Sequence, residues 1–353
     1  MASRRRLEQQ EEPEPKRRGQ YFEEEPPIMG FIKTGSTLLD NTIGGGWALG
    51  RMSNIIGDKS TGKTLLAIEA CSNFSRQFPE GKIFYRESEA AFDMQFAAGL
   101  GMPVDKIDFL PDPREPNKGD FLTVEDLSRD VDVITKKYAD RKTPILYVTD
   151  SVDALSDEGE QKLEVGEGSY NTGKAKMLSQ FFRQRVRPIN DCRMHLMFIS
   201  QIRDNIGVTF GKKYTRSGGH ALDFYASQVI YLAHKGFIKR TSKGVERPVG
   251  VDIRVKCEKN KICTPYRECE IPIMFGYGID DLRSCIEWLY DVKQLDRVID
   301  NPVKGSETKY LSESAKLGND EYFKRVEQVS RITAEVWKEI EEGFAPVRRK
   351  YGD

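Results

Sequence analysis

The sequence has no apolar run approaching the roughly 20 residues that a membrane-spanning helix needs. Its first residues, Met1-Ala2-Ser3-Arg4-Arg5-Arg6, lead into Glu and Pro instead of an apolar segment. A secretory leader is therefore not expected, and a cytoplasmic location is. An excess of one charge is also missing: 55 Lys plus Arg stand against 55 Asp plus Glu. Any attraction to nucleic acid must then come from a local cationic surface. Six cysteines are present, at 71, 192, 257, 263, 269 and 285, but without a metal-ligand spacing, so reduced thiols are expected. No internal repeat is visible.

Residues 1–28 are dense in Arg, Lys, Glu, Gln and Pro, which predicts a disordered arm, with a short helix conceivable over 3–12. From about residue 30, apolar runs alternate with helical periods. Strands are predicted at 52–56, 82–86, 144–149, 195–200 and 228–233, with helices over 65–74 and 175–186 between them. Such alternation implies a mostly parallel sheet covered by helices, an α/β class. Two more strands are predicted at 250–257 and 266–274, then helices at 282–289 and 320–342. The expected division is an arm (1–28), an ATPase-like core (29–281) and a small helical domain (282–353).

Gly57-Asp58-Lys59-Ser60-Thr61-Gly62-Lys63-Thr64 fits the phosphate-loop pattern GxxxxGK[ST], and it follows a predicted strand and opens a predicted helix. Successive backbone N–H groups can wrap a phosphate there, aided by the helix N-terminus. Lys63 can neutralise phosphate oxygens and the Thr64 hydroxyl can ligate Mg²⁺. Polar residues end the neighbouring strands, where open α/β sheets place ligands. Asp150 closes the strand at 144–149, as a metal-holding acid would; Glu87 or Glu89 follows the strand at 82–86, as a base for attacking water; Gln201 follows 195–200. Each alone is an ordinary turn residue. Together with the phosphate loop they predict an NTPase.

Two segments after strands, 156–173 and 203–219, lack periodicity and are long for a compact domain, so they are expected to be functional loops. The second carries Arg203, Lys212, Lys213 and Arg216 against the single acid Asp204, a charge suited to phosphates.

At this point the residues resemble the RecA family of recombinases. Thr34-Gly35-Ser36, Glu89-Ala90-Ala91-Phe92-Asp93, Asp150-Ser151-Val152-Asp153-Ala154-Leu155, Gln201-Ile202-Arg203, Gly218-Gly219 through Phe224-Tyr225-Ala226-Ser227, Lys259-Asn260-Lys261 and Gly276-Tyr277-Gly278-Ile279 stand in family order over roughly 33–280. The resemblance implies a RecA-like core with ATP and Mg²⁺ as cofactors. It implies an ATPase that assembles as a helical filament on single-stranded DNA and pairs it with homologous duplex, in recombination, repair and the SOS response. By resemblance Glu89 is the base. The ATP site is Gly57 to Leu65 with Asp93 and Phe96, Phe96 standing where the family has Tyr. Thr64 and Asp150 hold the metal, and Gln201 senses the γ-phosphate. Lys259 and Lys261 reach the nucleotide of the adjacent protomer, which is arginine-finger logic in trans. DNA contacts are Lys176, Ser179 and Arg183 on one helix, Lys176 and Arg183 being seven apart on one face, and Arg203, Ile206, Gly218 and Gly219 in the second loop.

Some positions depart from the family. Leu65 replaces a Thr, Lys176 an Arg and Asp223 an interface Lys; Asp280, Asp281 and Leu282 stand where an aromatic is usual; and the tail is not acidic. Two rival readings use the same core: a ring-forming helicase motor, and a regulatory protein that binds ATP without turnover. Intact Lys63, Glu89 and Asp150 weigh against the last.

Overall fold

Apolar runs with no polar side are strands that must be covered on both faces, and that requirement sets the architecture. The computed structural model describes residues 30–89, 91–112, 114–115, 119–162, 172–204, 214–215 and 219–345. The expected arm, with its helix over 3–12, lies outside them. In chain order come β1 (Phe31–Ile32), α1 (Thr37–Ile43), β2 (Trp47–Ala48), β3 (Met52–Gly57), α2 (Lys63–Gln77), β4 (Lys82–Glu87), α3 (Met94–Gly99) and β5 (Ile107–Leu110). They are followed by α4 (Val124–Lys137), β6 (Ile145–Asp150), α5 (Thr172–Asp191), β7 (Met194–Gln201), β8 (Arg203–Asp204), β9 (Tyr214–Thr215) and α6 (Gly219–Tyr225). Then come β10 (Gln228–Ser242), β11 (Val245–Asn260), β12 (Glu268–Met274), β13 (Gly278–Ile279), α7 (Asp281–Asp291), α8 (Ser306–Ser314) and α9 (Asn319–Gly343).

One sheet runs β13-β12-β11-β10-β3-β7-β6-β4-β5. From β10 to β5 the pairs are parallel, and from β10 to β13 antiparallel. Every residue of β3 and β6 is buried. On one face Ile55 and Val148 pack with Leu39 of α1 and Leu66 and Phe74 of α2. On the other, Met52 and Phe198 pack with Leu127 of α4 and Phe182 of α5. The α/β class with a mostly parallel sheet between helices, followed by C-terminal helices, is the one the sequence predicts.

The differences have local causes. The strand predicted at 228–233 continues to Ser242 and returns as β11, turning at Lys243 (φ 50) and Gly244 (φ 81). The outer part of this ribbon is mostly exposed on both faces, so it carries no alternation to read. The segment at 203–219 is not wholly irregular: Arg203 pairs with Thr215 and Asp204 with Tyr214, and Gly219 opens α6. At 156–173, a 3-10 turn spans Glu160–Lys162 and Gly173 already lies inside α5.

The C-terminal helices have their own core, in which Leu282, Ile286 and Leu289 of α7 meet Val329 and Val336 of α9, with Trp288 stacked on Trp337 at 5.5 Å. Asp281 ties them to α1. Its carboxylate accepts Thr37 N and Thr37 Oγ1, both at 2.7 Å, and Ser330 Oγ at 3.1 Å. Among the described residues no helix is long and apolar enough to cross a membrane.

Candidate functional site

The loop between β3 and α2 has the form of an anion cradle. A Cβ at Gly57 would run into the Thr61 hydroxyl, and Gly62 has φ 85, so both positions require glycine. Gly62 offers no side-chain cap, which leaves the first N–H groups of α2 unclaimed by a side chain. Thr61 Oγ1 and Lys63 Nζ both donate to the Asp58 carbonyl, at 2.8 and 2.7 Å. Lys63 is buried, which lowers its pKa, while Asp150, Glu89, Asp58 and Asp153 act in the opposite direction. Asp58, Lys59 and Ser60 form the exposed rim. Leu65 is different: its side chain is buried in the core under the loop, so it can offer a ligand only its main chain.

The sheet register brings the other polar residues to the same edge. Gly57 stands opposite Gln201, and Glu87 opposite Asp150. Asp150 Oδ2 accepts Thr64 Oγ1 at 2.9 Å and Tyr85 OH at 2.8 Å. Burial pushes its carboxyl up to about 6, and these two hydrogen bonds oppose the rise. A hydroxyl and a carboxylate on one oxygen-lined spot form the hard donor set that Mg²⁺ takes beside phosphates.

The two glutamates differ in their partners. Glu87 is buried, and its Oε1 accepts the N–H of Glu89 at 2.9 Å and of Ala91 at 3.2 Å, so it organises the turn after β4. Glu89 is exposed; its Oε1 accepts Ser151 Oγ and, at 2.9 Å, Gln201 Nε2. Asp93 caps α3 by accepting Gln95 N and Phe96 N through Oδ1, both at 2.9 Å, which leaves Oδ2 as its free acceptor. The Phe96 ring is 47% exposed, open to stacking.

Lys259 and Lys261 are elsewhere. Gln228 pairs with Asn260 on one side and Ser53 on the other, whereas Gly57 pairs with Leu232. The lysines thus sit at the amino edge of the central strands, and the phosphate loop at the carboxyl edge, about 13 Å away along β3 at a strand's rise per residue. Lys259 Nζ donates to the carbonyls of Asp223 and, at 2.7 Å, Phe224, capping α6. Burial, then repulsion from Lys261, lowers its pKa to about 8. Both ammonium groups lie 6.0 Å from the Phe224 ring, which is 68% exposed.

On α5, Lys176 and Arg183 are exposed, on the side away from Leu178 and Phe182. Ser179 lies between them but spends its hydroxyl on Ala175 O at 2.9 Å. Arg203 opens β8 and Gly219 opens α6, while Ile206 and Gly218 fall outside the described residues.

Four residues have no role in the reading from sequence, although Ser151 and Asp153 stand in the Asp150–Leu155 motif. Arg187, eleven residues after Lys176, continues the exposed cationic face, and among the described residues Lys176, Arg183 and Arg187 have no carboxylate partner. Its spacing was visible. Arg185 between them points elsewhere and pairs with Asp132. Tyr85, Ser151 and Asp153 touch the site only through tertiary contacts that no spacing announces.

The RecA N-terminal domain family matches residues 23–280. A protein named Protein RecA from Thioalkalivibrio sulfidiphilus is 32% identical over 327 residues, covering 91% of this chain and 87% of its own. Proteins of the same name from Synechocystis sp. and Streptococcus pneumoniae are each 30% identical, over 90% and 93% of this chain and 82% and 78% of theirs.

Proposed function

The chain belongs to the RecA family, and we propose from that membership that it is a DNA recombinase. It is a DNA-dependent ATPase that assembles on single-stranded DNA, pairs it with homologous duplex and acts in recombination and repair, in the cytoplasm. Base pairing between the strands carries sequence recognition, and the protein grips backbone.

One observation carries the assembled form of this reading: the phosphate loop and the Lys259–Lys261 pair occupy opposite edges of one sheet. A chain so built keeps its own lysines about 13 Å along β3 from its own phosphate loop. A head-to-tail contact brings one protomer's pair to the next protomer's loop, and such a heterologous contact propagates as a helix when it does not close. ATP would lie in the cradle of Gly57 to Thr64, its base against Asp93 and Phe96. Thr64 and Asp150 would hold Mg²⁺, which supplies charge neutralisation on the phosphates.

Glu89 then takes a proton from the attacking water. Gln201, hydrogen bonded to that glutamate and separated from β8 only by Ile202, links the phosphate site to the second loop. Lys176 and Arg183 on α5, with Arg203, Ile206, Gly218 and Gly219, would contact strand phosphates.

The test is electron microscopy of the purified chain with ATP and a single-stranded oligonucleotide, alongside turnover with and without it. Open helical filaments and oligonucleotide-stimulated hydrolysis are expected. Closed rings that unwind duplex would favour a helicase motor, and a monomer whose turnover ignores the oligonucleotide would remove the reading altogether.

A further inference from the structure

Asp153 occupies the turn after β6 and is 8% exposed, an expensive place for a carboxylate. Its Oδ2 accepts the main-chain N–H of Gln201 at 2.7 Å. The reason lies in the sheet. Ladder pairing of β6 with β7 ends at Thr149 opposite Phe198. On the other side of β7, Ile202 N reaches Gly57 O at 3.3 Å. Main-chain N–H groups along a strand alternate in direction, so that of Gln201 points to the β6 side, where β6 has already ended. The carboxylate of Asp153 stands in for the missing strand. The turn that carries it is stitched on two further sides: Val152 N donates to Ile199 O at 3.1 Å, and Lys174 Nζ of α5 donates to Asp153 O at 2.8 Å.

Gln201 is thereby held at its main chain by Asp153 and left to turn at its side chain, where Nε2 meets Glu89. We propose that Asp153 is a positioning residue for the coupling of strand engagement to ATP turnover: its carboxylate fixes the pivot about which the Gln201 side chain moves between Glu89 and the γ-phosphate. The proposal rests on the reading of Gln201 given above. It also makes the turn before the first loop and the strand before the second move as one body, since the same residue is bonded to β7 and to the first turn of α5.

The experiment compares the wild-type chain with Asp153→Asn and Asp153→Leu, reading the ratio of ATP turnover with saturating oligonucleotide to turnover without it. Asparagine keeps an oxygen that accepts the same N–H, and its ratio is expected within about threefold of wild type. Leucine removes the acceptor at similar volume. Its ratio is expected to fall at least about tenfold, the lower end of what a hydrogen bond to a charged group contributes, while the affinity for a fluorescent ATP analogue stays within about threefold.

A leucine variant that keeps the wild-type ratio, or one that loses nucleotide affinity and both turnovers in step, would overturn the proposal. Amide hydrogen exchange at Gln201 in the wild-type chain decides independently of how the variants fold. Protection both with and without nucleotide supports a fixed pivot, and protection lost on adding ATP refutes it. A wild-type chain whose turnover ignores oligonucleotide would count against the functional reading, whereas the exchange result speaks to Asp153 alone.

Discussion

Tyr85 donates its hydroxyl to Asp150 Oδ2 at 2.8 Å, from the strand beside the one that ends in the acid. The bond favours the carboxylate and works against the burial that lifts Asp150 to about 6. The form that can hold a cation is the carboxylate, so metal-dependent turnover should rise with pH through that region. Tyr85→Phe removes one opposing hydrogen bond, so the carboxyl rises further. The acid limb of the pH–rate profile should move to higher pH by about one unit, the equivalent of a single hydrogen bond to a charged group. An acid limb that stays in place would show that Asp150 does not govern it.

Glu89 and Glu87 are separable by substitution. Glu89→Gln retains an oxygen for Ser151 and Gln201 but cannot take a proton from water. Turnover should fall at least about 100-fold, the usual scale of general base catalysis, with nucleotide affinity within about threefold. Glu87→Gln should retain far more turnover and show its effect in thermal stability, because Glu87 holds the N–H groups of Glu89 and Ala91. Single-turnover hydrolysis together with a melting curve checks both, and the reverse ranking of the two variants would exchange their roles.

These two predictions show where sequence is informative and where it stops. The phosphate loop, Asp150 and Gln201 were legible because β3, β6 and β7 are almost entirely buried and so appear as apolar runs with a polar residue at the end. Helix α4 is absent from the predicted elements although Thr123 and Asp126 form a capping box at its start, a signal that the sequence carries. Tyr85 was not legible as a partner of Asp150, since 65 positions separate them and only the parallel register of β4 and β6 brings them together. Asp153 escaped for the same reason: its partner Gln201 is 48 positions away. The outer half of the β10–β11 ribbon was missed because both its faces are wet.

Lys259 predicts a pH dependence of the opposite sign. Burial and Lys261 lower it to about 8, so the free chain loses this ammonium as pH rises through that value. Reaching a neighbour's phosphates requires the charge and would be accompanied by proton uptake. ATP-dependent assembly, followed by light scattering, should therefore weaken between about pH 7 and 9. Lys259→Arg, with a guanidinium that stays protonated, should flatten that decline. The placement in trans has its own check. Chains carrying Lys63→Ala and chains carrying Lys261→Ala should regain, when mixed, turnover that neither has alone, because a mixed junction unites an intact loop with an intact lysine. No recovery on mixing would place both lysines in service of their own protomer.

The face of α5 provides a test by salt. Lys176, Arg183 and Arg187 are exposed, recur along one side of the helix and have no carboxylate partner among the described residues, whereas Arg185 is committed to Asp132. Three turns of helix between Lys176 and Arg187 span about 16 Å, enough to meet more than one backbone phosphate. Each contacted phosphate releases bound counterion, so each neutralised cation should reduce the slope of log affinity against log salt by a little under one. Single alanine substitutions at 176, 183 and 187 should each weaken binding to oligonucleotides of any sequence by a similar factor and lower that slope. Arg185→Ala should leave the slope intact and act on thermal stability, since its charge is spent between α4 and α5. If Arg187→Ala left both affinity and slope unchanged, the strand-binding face would end at Arg183; if Arg185→Ala changed the slope, the division of this helix into a strand-facing side and a packing side would be wrong.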